Sequence, residues 1–232
     1  KRVTNHSHWK VGVELELLAP IGYSRRDLAV FLANEMGGEV RTFFQYQEEQ
    51  SPLEKVDKFY NLTLAFQVVD GTGKEVFRFV DDISIQTDLD PLAKPKTGWF
   101  RIITDDFRLL SLVHRHARVD QGVKGAIAPI ADMFGTEPIE REGGIWQVVD
   151  LNGLSVAMAV PLPGERERVC EVVTCPLHEN REETLDLLCY GIKKLGFLLP
   201  KEAATHLHFD AFALCSGHRF ARLVNYFWRY GP

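Results

Sequence analysis

Val11-Gly12-Val13-Glu14-Leu15-Glu16-Leu17 is the stretch on which the fold turns. Side chains alternate between the two faces of a strand. Val11, Val13, Leu15 and Leu17 therefore share one apolar face, and Gly12, Glu14 and Glu16 share the other. Two carboxylates two residues apart then point the same way, about 7 Å from each other. Like charges held side by side call for a positive partner, and one or two divalent cations suit that place. The competing reading is an amphipathic strand with a wetted outer face.

Two later stretches weigh against the competing reading. In Val169-Cys170-Glu171-Val172-Val173-Thr174, Cys170 and Val172 face one way, and Val169, Glu171 and Val173 face the other. Glu171 is a single carboxylate in a strand apolar on both sides, which predicts burial. A buried carboxylate is paired, metal-bound or protonated. In Thr205-His206-Leu207-His208-Phe209-Asp210, a strand places His206, His208 and Asp210 on one face and Leu207 and Phe209 on the other. Between these strands a helix is predicted. Asn180 caps it, Glu182 and Glu183 suit its first turn, and Leu185, Leu188, Cys189, Ile192 and Leu195 form its buried stripe. Lys193 and Lys194 suit its end and Gly196 stops it. Carboxylate oxygens with an imidazole nitrogen, all on rigid strands, are what a magnesium or manganese site needs.

The order of these motifs resembles the amidoligase family of carboxylate–amine ligases, relatives of glutamine synthetase and glutamate–cysteine ligase. That family shows a G-x-E-x-E strand, matched here by Gly12, Glu14 and Glu16. An E-[LIV]-[VT]-[ST]-x-P stretch follows, matched in its main features by Glu171 to Pro176, then a helix, then H-[VL]-H at His206 to His208. The resemblance implies an α+β fold, a curved antiparallel sheet with flanking helices like the glutamine synthetase catalytic domain. Its concave face would hold ATP and two or three divalent ions, Mg2+ or Mn2+. By motif position, Glu14, Glu16, Glu171 and His206 would be metal ligands and catalytic residues. His208 would contact the nucleotide phosphates, with Arg219 and Arg222 as the available arginines beyond the H-x-H strand. The family also carries an acidic step before its third glutamate, for which Asp82, Asp105, Asp106 and Asp150 all compete.

The implied reaction joins a small-molecule or peptide carboxylate to an amine. ATP would phosphorylate the carboxylate, and the amine would displace phosphate from that acyl phosphate. Triphosphate and acidic site repel each other unless cations lie between them, so the chemistry and the carboxylates agree.

The rest of the chain supplies elements rather than motifs. A helix is expected over Leu28, Phe31, Leu32 and Met36, ended by Gly37-Gly38, with a short strand near Val40–Tyr46 and a loop over Gln47–Lys58. Leu62–Val68 and Glu75–Val80 read as a hairpin around Asp70-Gly71-Thr72-Gly73. Trp99–Ile103 reads as a strand before a helix bearing Phe107, Leu110 and Val113. Gly125–Gly135 is ambiguous. Ile145–Asp150 and Leu154–Val160 form a meander around Asn152-Gly153. The helix from Ser216 to Tyr230 has Phe220, Leu223, Val224 and Phe227 on a stripe that suits packing on the sheet. With Trp228 and Tyr230 added, it is expected to be covered by further helical chain or by another subunit, as in a homo-oligomer.

No repeat, low-complexity tract or linker divides the sequence, so residues 1–232 read as one catalytic domain. A net charge of −5 argues against a nucleic-acid backbone as partner, and no apolar run is long enough to span a membrane. The four cysteines form no C-x-x-C pair, so a reduced, cytoplasmic setting is expected. His6 with His8, and the C-x-x-H pairs Cys175/His178 and Cys215/His218, are weaker metal candidates. Two other functions compete with the ligase. One is a metal-dependent hydrolase, because His206-x-His208-x-Asp210 resembles the H-x-H-x-D-H signature of metallo-β-lactamase-like enzymes, although Ala211 stands where the next histidine belongs. The other is a non-catalytic nucleotide- or ligand-binding domain on the ligase fold.

Overall fold

The computed structural model describes residues 10–50, 58–82, 94–162, 169–178 and 180–231. The motif stretch forms strand β1 (Val11–Leu18), and helix α1 (Arg25–Glu35) follows. Ser24 and Asp27 open that helix, the Ser24 backbone N–H donating to the Asp27 carboxylate at 2.7 Å. Strands β2 (Glu39–Gln50), β3 (Lys58–Val69) and β4 (Glu75–Asp81) come next, then β5 (Phe100–Thr104) and helix α2 (Phe107–His116). Helix α3 (Gly122–Phe134) precedes β6 (Ile139–Glu140), β7 (Trp146–Val149), β8 (Ser155–Pro161) and β9 (Val169–Thr174). Helix α4 (Arg181–Leu195), β10 (Thr205–Phe209) and α5 (Gly217–Tyr230) complete the order. His6, His8, Ile83 and Ser84 lie outside the described residues.

All the strand pairings are antiparallel. Their arrangement is set by β3. One edge of β3 pairs with β2 along its whole length. The other edge is shared, Phe66–Val69 pairing with β4 and Tyr60–Thr63 with β5. Two wings thus leave the same edge of a two-stranded ribbon. One runs β4-β9-β1-β10 and the other β5-β8-β7-β6.

Two expectations change here. β2 extends through Gln50, although Gln47–Lys58 reads as a loop. Its polar run pairs residue for residue with Asn61–Lys58, because an edge strand can leave one face in water. The ambiguous Gly125–Gly135 segment is helical within α3 despite Pro129, and ends on Gly135 in the left-handed conformation.

One face of the sheet is the core. Leu17, Phe77, Phe79, Leu62, Ile102, Cys170 and Val172 are buried there in a cluster that also takes Leu28 and Leu32 of α1, Leu110 of α2 and Ile127 of α3. Each such aliphatic side chain contributes about 1.5–3 kcal/mol by leaving water. Gly191 lets α4 approach α1, since a Cβ there would stand 3.0 Å from Leu28 Cδ1.

Arg25 is buried with them. Its Nη1 lies 3.3 Å from Asp81 Oδ1, with both side chains 1% exposed. Its Nη2 donates to the carbonyl of Leu64, where β3 passes from one wing to the other. The guanidinium also lies 5.3 Å from the Trp99 ring. From the opposite face, Gln47 Nε2 donates to the Asp81 carbonyl. The fork in the sheet is therefore stapled from both sides.

The C-terminal elements differ from the rest. Every residue of β10 is exposed, and α5 has no buried residue. The expected packing of Phe220, Leu223, Val224 and Phe227 on the sheet is not made within the described residues. Phe220 and Phe227 are 57% and 63% exposed.

Candidate functional site

The site forms on the sheet face away from the helices. β1 lies between β9 and β10, so its outward residues meet partners on both sides. Glu14 is opposite His206 on β10 and Val173 on β9, while Glu16 is opposite Glu171. Residues directly opposite share a face, with Cβ atoms about 4.5–5.5 Å apart. The parity expected for Glu14, Glu16, Glu171, His206 and His208 is met, and one sheet face carries all five.

Glu14 holds both histidines. Its Oε1 lies 2.6 Å from His206 Nδ1 and its Oε2 lies 2.7 Å from His208 Nε2. With Glu14 ionised, each imidazole donates through the nitrogen named. Burial alone would raise the Glu14 pKa, but bonds from His206, His208 and Glu171 hold it below the usual carboxylate value. The bond to Glu14 in turn raises His206.

Glu171 goes the other way. Burial, then the charge of Glu14 and a hydrogen bond shared with it, push Glu171 up to about 7. Asp82 and Glu16 add to the repulsion. Near neutral pH this carboxyl retains part of its proton for want of positive charge. Glu16 is 8% exposed and accepts the backbone N–H of Ala204, which ties the approach to β10 onto β1.

Of the four competing aspartates, Asp82 stands near enough to act on Glu171. Asp106 caps α2 by accepting Arg108 N at 2.9 Å, and Asp150 accepts Asn152 N at 2.8 Å in its own hairpin turn. Asp105 lies between β5 and α2.

Two cavities open on this face. The larger, about 590 Å³, runs from Glu171 and Val173 past Val80, Arg78 and Gln67 to Phe43–Tyr46 and His114. The second, about 520 Å³, is lined by Lys10, Gly12, Glu14, Val173, Thr174, Pro176, His208, Phe209 and Asp210. Gly12 lines it without a side chain, and a Cβ there would meet His208 Cβ at 3.4 Å, an ordinary contact. Val173 lines both spaces, and the hydrogen-bonded carboxyls Glu14 and Glu171 each line one. Arg219 and Arg222 are exposed on α5 and line neither.

Sequence reasoning missed Arg78, which lines the larger cavity and pairs with Glu75. The signal was a cation between Phe77 and Phe79, at the parity opposite the two rings.

The donor set suits magnesium or manganese, because Glu14, Glu16 and an imidazole stand with a carboxyl, Glu171, that burial and its acidic neighbours push up to about 7. In the present arrangement Glu14 gives both oxygens to histidines. Among the described residues no group of three or more His, Cys, Asp or Glu side chains is gathered to hold a metal ion. That applies equally to the two C-x-x-H pairs. Asp210, the third member of the hydrolase-like motif, accepts Phe212 N at 2.9 Å and caps its own turn. Among the described residues no helix is long and apolar enough to cross a membrane.

A family model described as "putative amidoligase enzyme" covers residues 7–231. No curated protein and no solved structure matches the chain.

Proposed function

From its membership of the amidoligase family, to which this chain belongs over nearly its whole length, we propose that it is an ATP-dependent carboxylate–amine ligase using Mg2+ or Mn2+. The observation that carries this reading is a pair of cavities that share Val173, one lined by Glu14 and the other by Glu171, whose carboxyls act on each other. A ligase of this kind must bring a nucleotide and an acid together end to end. The second cavity, with Lys10, His208 and Gly12, suits the phosphates. The larger cavity suits the acid. A glutamine synthetase-type catalytic fold and a cytoplasmic setting belong to the same reading.

Glu14, Glu16, Glu171 and His206 would hold the divalent ions. The ions would screen the triphosphate from the carboxylates and draw charge from its terminal phosphate. A carboxylate oxygen of the acid attacks the terminal phosphorus, the bond to the bridging oxygen breaks, and ADP leaves. The amine nitrogen then attacks the acyl carbon, the carbon–oxygen bond to phosphate breaks, and the nitrogen loses its proton to solvent. The strands hold the carboxylates in place, and His206 and His208 orient Glu14 from β10. Arg219 and Arg222, on the helix after β10, would meet phosphates that project past His208.

The test is ADP formation by the purified protein with ATP, Mg2+, a panel of acids and hydroxylamine as the amine, read also as hydroxamate. Product that requires all four components is the expected result. Zinc-dependent ester or amide cleavage without ATP would replace this reading with the hydrolase. Nucleotide binding without turnover across the panel would leave a binding domain.

A further inference from the structure

The larger cavity has an unusual wall. A strand presents alternate residues to each of its faces. Yet Phe43, Phe44, Gln45 and Tyr46, four consecutive residues of β2, all line this one space. Phe44 and Tyr46 share the helix-covered parity of Leu64 and Leu62, and His114 comes from α2 on that side, whereas Arg78 and Glu171 face the open side, so the cavity wraps the outer edge of β2 as well as lying on the sheet face. That edge carries no strand among the described residues, since β2 pairs with β3 alone. A neighbouring cavity of about 490 Å³ continues along it, lined by Thr42, Phe43 and Phe44 on one side and His114, Ala117, Arg118, Val119 and Asp120 on the other. The two share Phe43, Phe44 and His114, and the His114 ring lies 5.1 Å from that of Tyr46. Together they make a groove along Thr42–Tyr46, about 14 Å of strand edge, which opens into the space that ends at Glu171.

We infer that this groove takes an extended peptide, which adds to the edge of β2 and delivers its C-terminal carboxylate to Glu171. The inference rests on the ligase reading above and names its acid substrate. From β2 to β9 the sheet crosses β3 and β4. Three strand spacings amount to about 14 Å. A free amino acid does not span that distance, whereas about four extended residues do. Main-chain hydrogen bonds along Thr42–Tyr46 would hold the peptide irrespective of its sequence. Ala117, Val119 and the Tyr46–His114 stack would take apolar side chains.

The experiment is hydrogen–deuterium exchange on the whole chain, with parallel measurement of ADP. The probes are an N-acetylated decapeptide pool with free C-termini, the same pool C-terminally amidated, and free amino acids, each at millimolar concentration with ATP, Mg2+ and hydroxylamine as the amine. Both peptide pools should slow amide exchange within Thr42–Tyr46 by roughly tenfold, while free amino acids should not. ADP should form with the free-carboxylate pool and not with the amidated one. Unchanged exchange at Thr42–Tyr46 overturns the peptide groove. If ADP still forms with small acids in that case, the ligase reading survives it. Equal slowing by a single amino acid also overturns the groove. Slowed exchange with no ADP from any acid keeps the groove and removes the ligase reading, and with it the substrate role.

Discussion

Asp81 and Glu171 stand on neighbouring strands, β4 and β9, and meet opposite electrostatic fates. Asp81 points into the helix-covered face, where Arg25 reaches it from α1 and both are sealed from water. Glu171 points to the open face, where its neighbours are Glu14, Glu16 and Asp82. At the fork the fold supplies its own cation and fixes it among aromatic rings. At the site it gathers acids, with His206 and His208 answering Glu14, while the acidic neighbours of Glu171 all raise its pKa. A charge that holds architecture together is neutralised from within the chain. Under the ligase reading, Glu171 would be answered by a bound cation instead.

The largest expected effect tests the first half of that contrast. Asp81→Ala removes the carboxylate beside a buried guanidinium, and should cost about 3–5 kcal/mol in urea unfolding. Added Mg2+ should not restore it. A loss below about 1 kcal/mol would mean that the fork does not depend on this pair.

Glu171→Gln tests the second half. Ligation should fall by roughly 10²–10³-fold, because a neutral amide cannot contribute charge at the transition state. Thermal stability should hold or rise, since a repelling carboxyl has gone. A variant that loses stability while keeping activity would reverse the roles assigned to the two faces.

The pH dependence of unfolding sharpens the comparison. Glu171 is raised from an ordinary 4.5 to about 7, so the folded chain holds more protons than the unfolded one between those values. Stability should therefore decline as pH rises through that window. His206, also raised, acts in the same direction, its contribution being complete below its ordinary 6.5 and lost as pH climbs through its folded value. Glu14, which is lowered, contributes above its ordinary value and loses that contribution in acid. Melting temperatures from about pH 5 to about pH 8 should slope downward without metal and flatten with millimolar Mg2+, which favours ionised Glu171. A slope that persists in Glu171→Gln would trace to some other group.

The smallest effect concerns Glu16, which belongs to both worlds. Glu16→Gln keeps an oxygen for the Ala204 N–H, so stability should change by less than about 1 kcal/mol, with a modest loss of activity. Glu16→Ala, which removes that acceptor, should cost about 1–2 kcal/mol in unfolding and loosen β10 in hydrogen exchange.

The site was more legible in the sequence than the frame that holds it. Strand parity is local, so Glu14, Glu16, Glu171, His206 and His208 could be assigned to faces without knowing which strands are neighbours. Their three motifs led to the family that the comparison found. The sharing of one β3 edge by β4 and β5 is a long-range fact with no local signature. The extension of β2 through Gln50 was hidden for a related reason, since a polar edge strand and a polar loop read alike until a partner is known. Asp82 could be preferred to Asp105, Asp106 and Asp150 only once β4 lay beside β9. Arg25 did carry a local signal, because helical spacing puts it on the same face as Leu28, Ala29 and Leu32. The stretch Tyr23–Asp27 reads only as the lead-in to that helix.

The fork also makes the sheet a lever. β10 and β6 are each the fourth strand out from β3, on separate wings rooted in the same ribbon. Four strand spacings put each tip about 19 Å from its pivot. A change of 5° in the ribbon's set would therefore carry β10, with His206 and His208, through roughly 1.7 Å. Glu14 rides on β1 of the same wing, so its bonds to the two histidines are kept, and the angle stapled by Arg25 and Gln47 sets instead how far the whole cluster stands from β2.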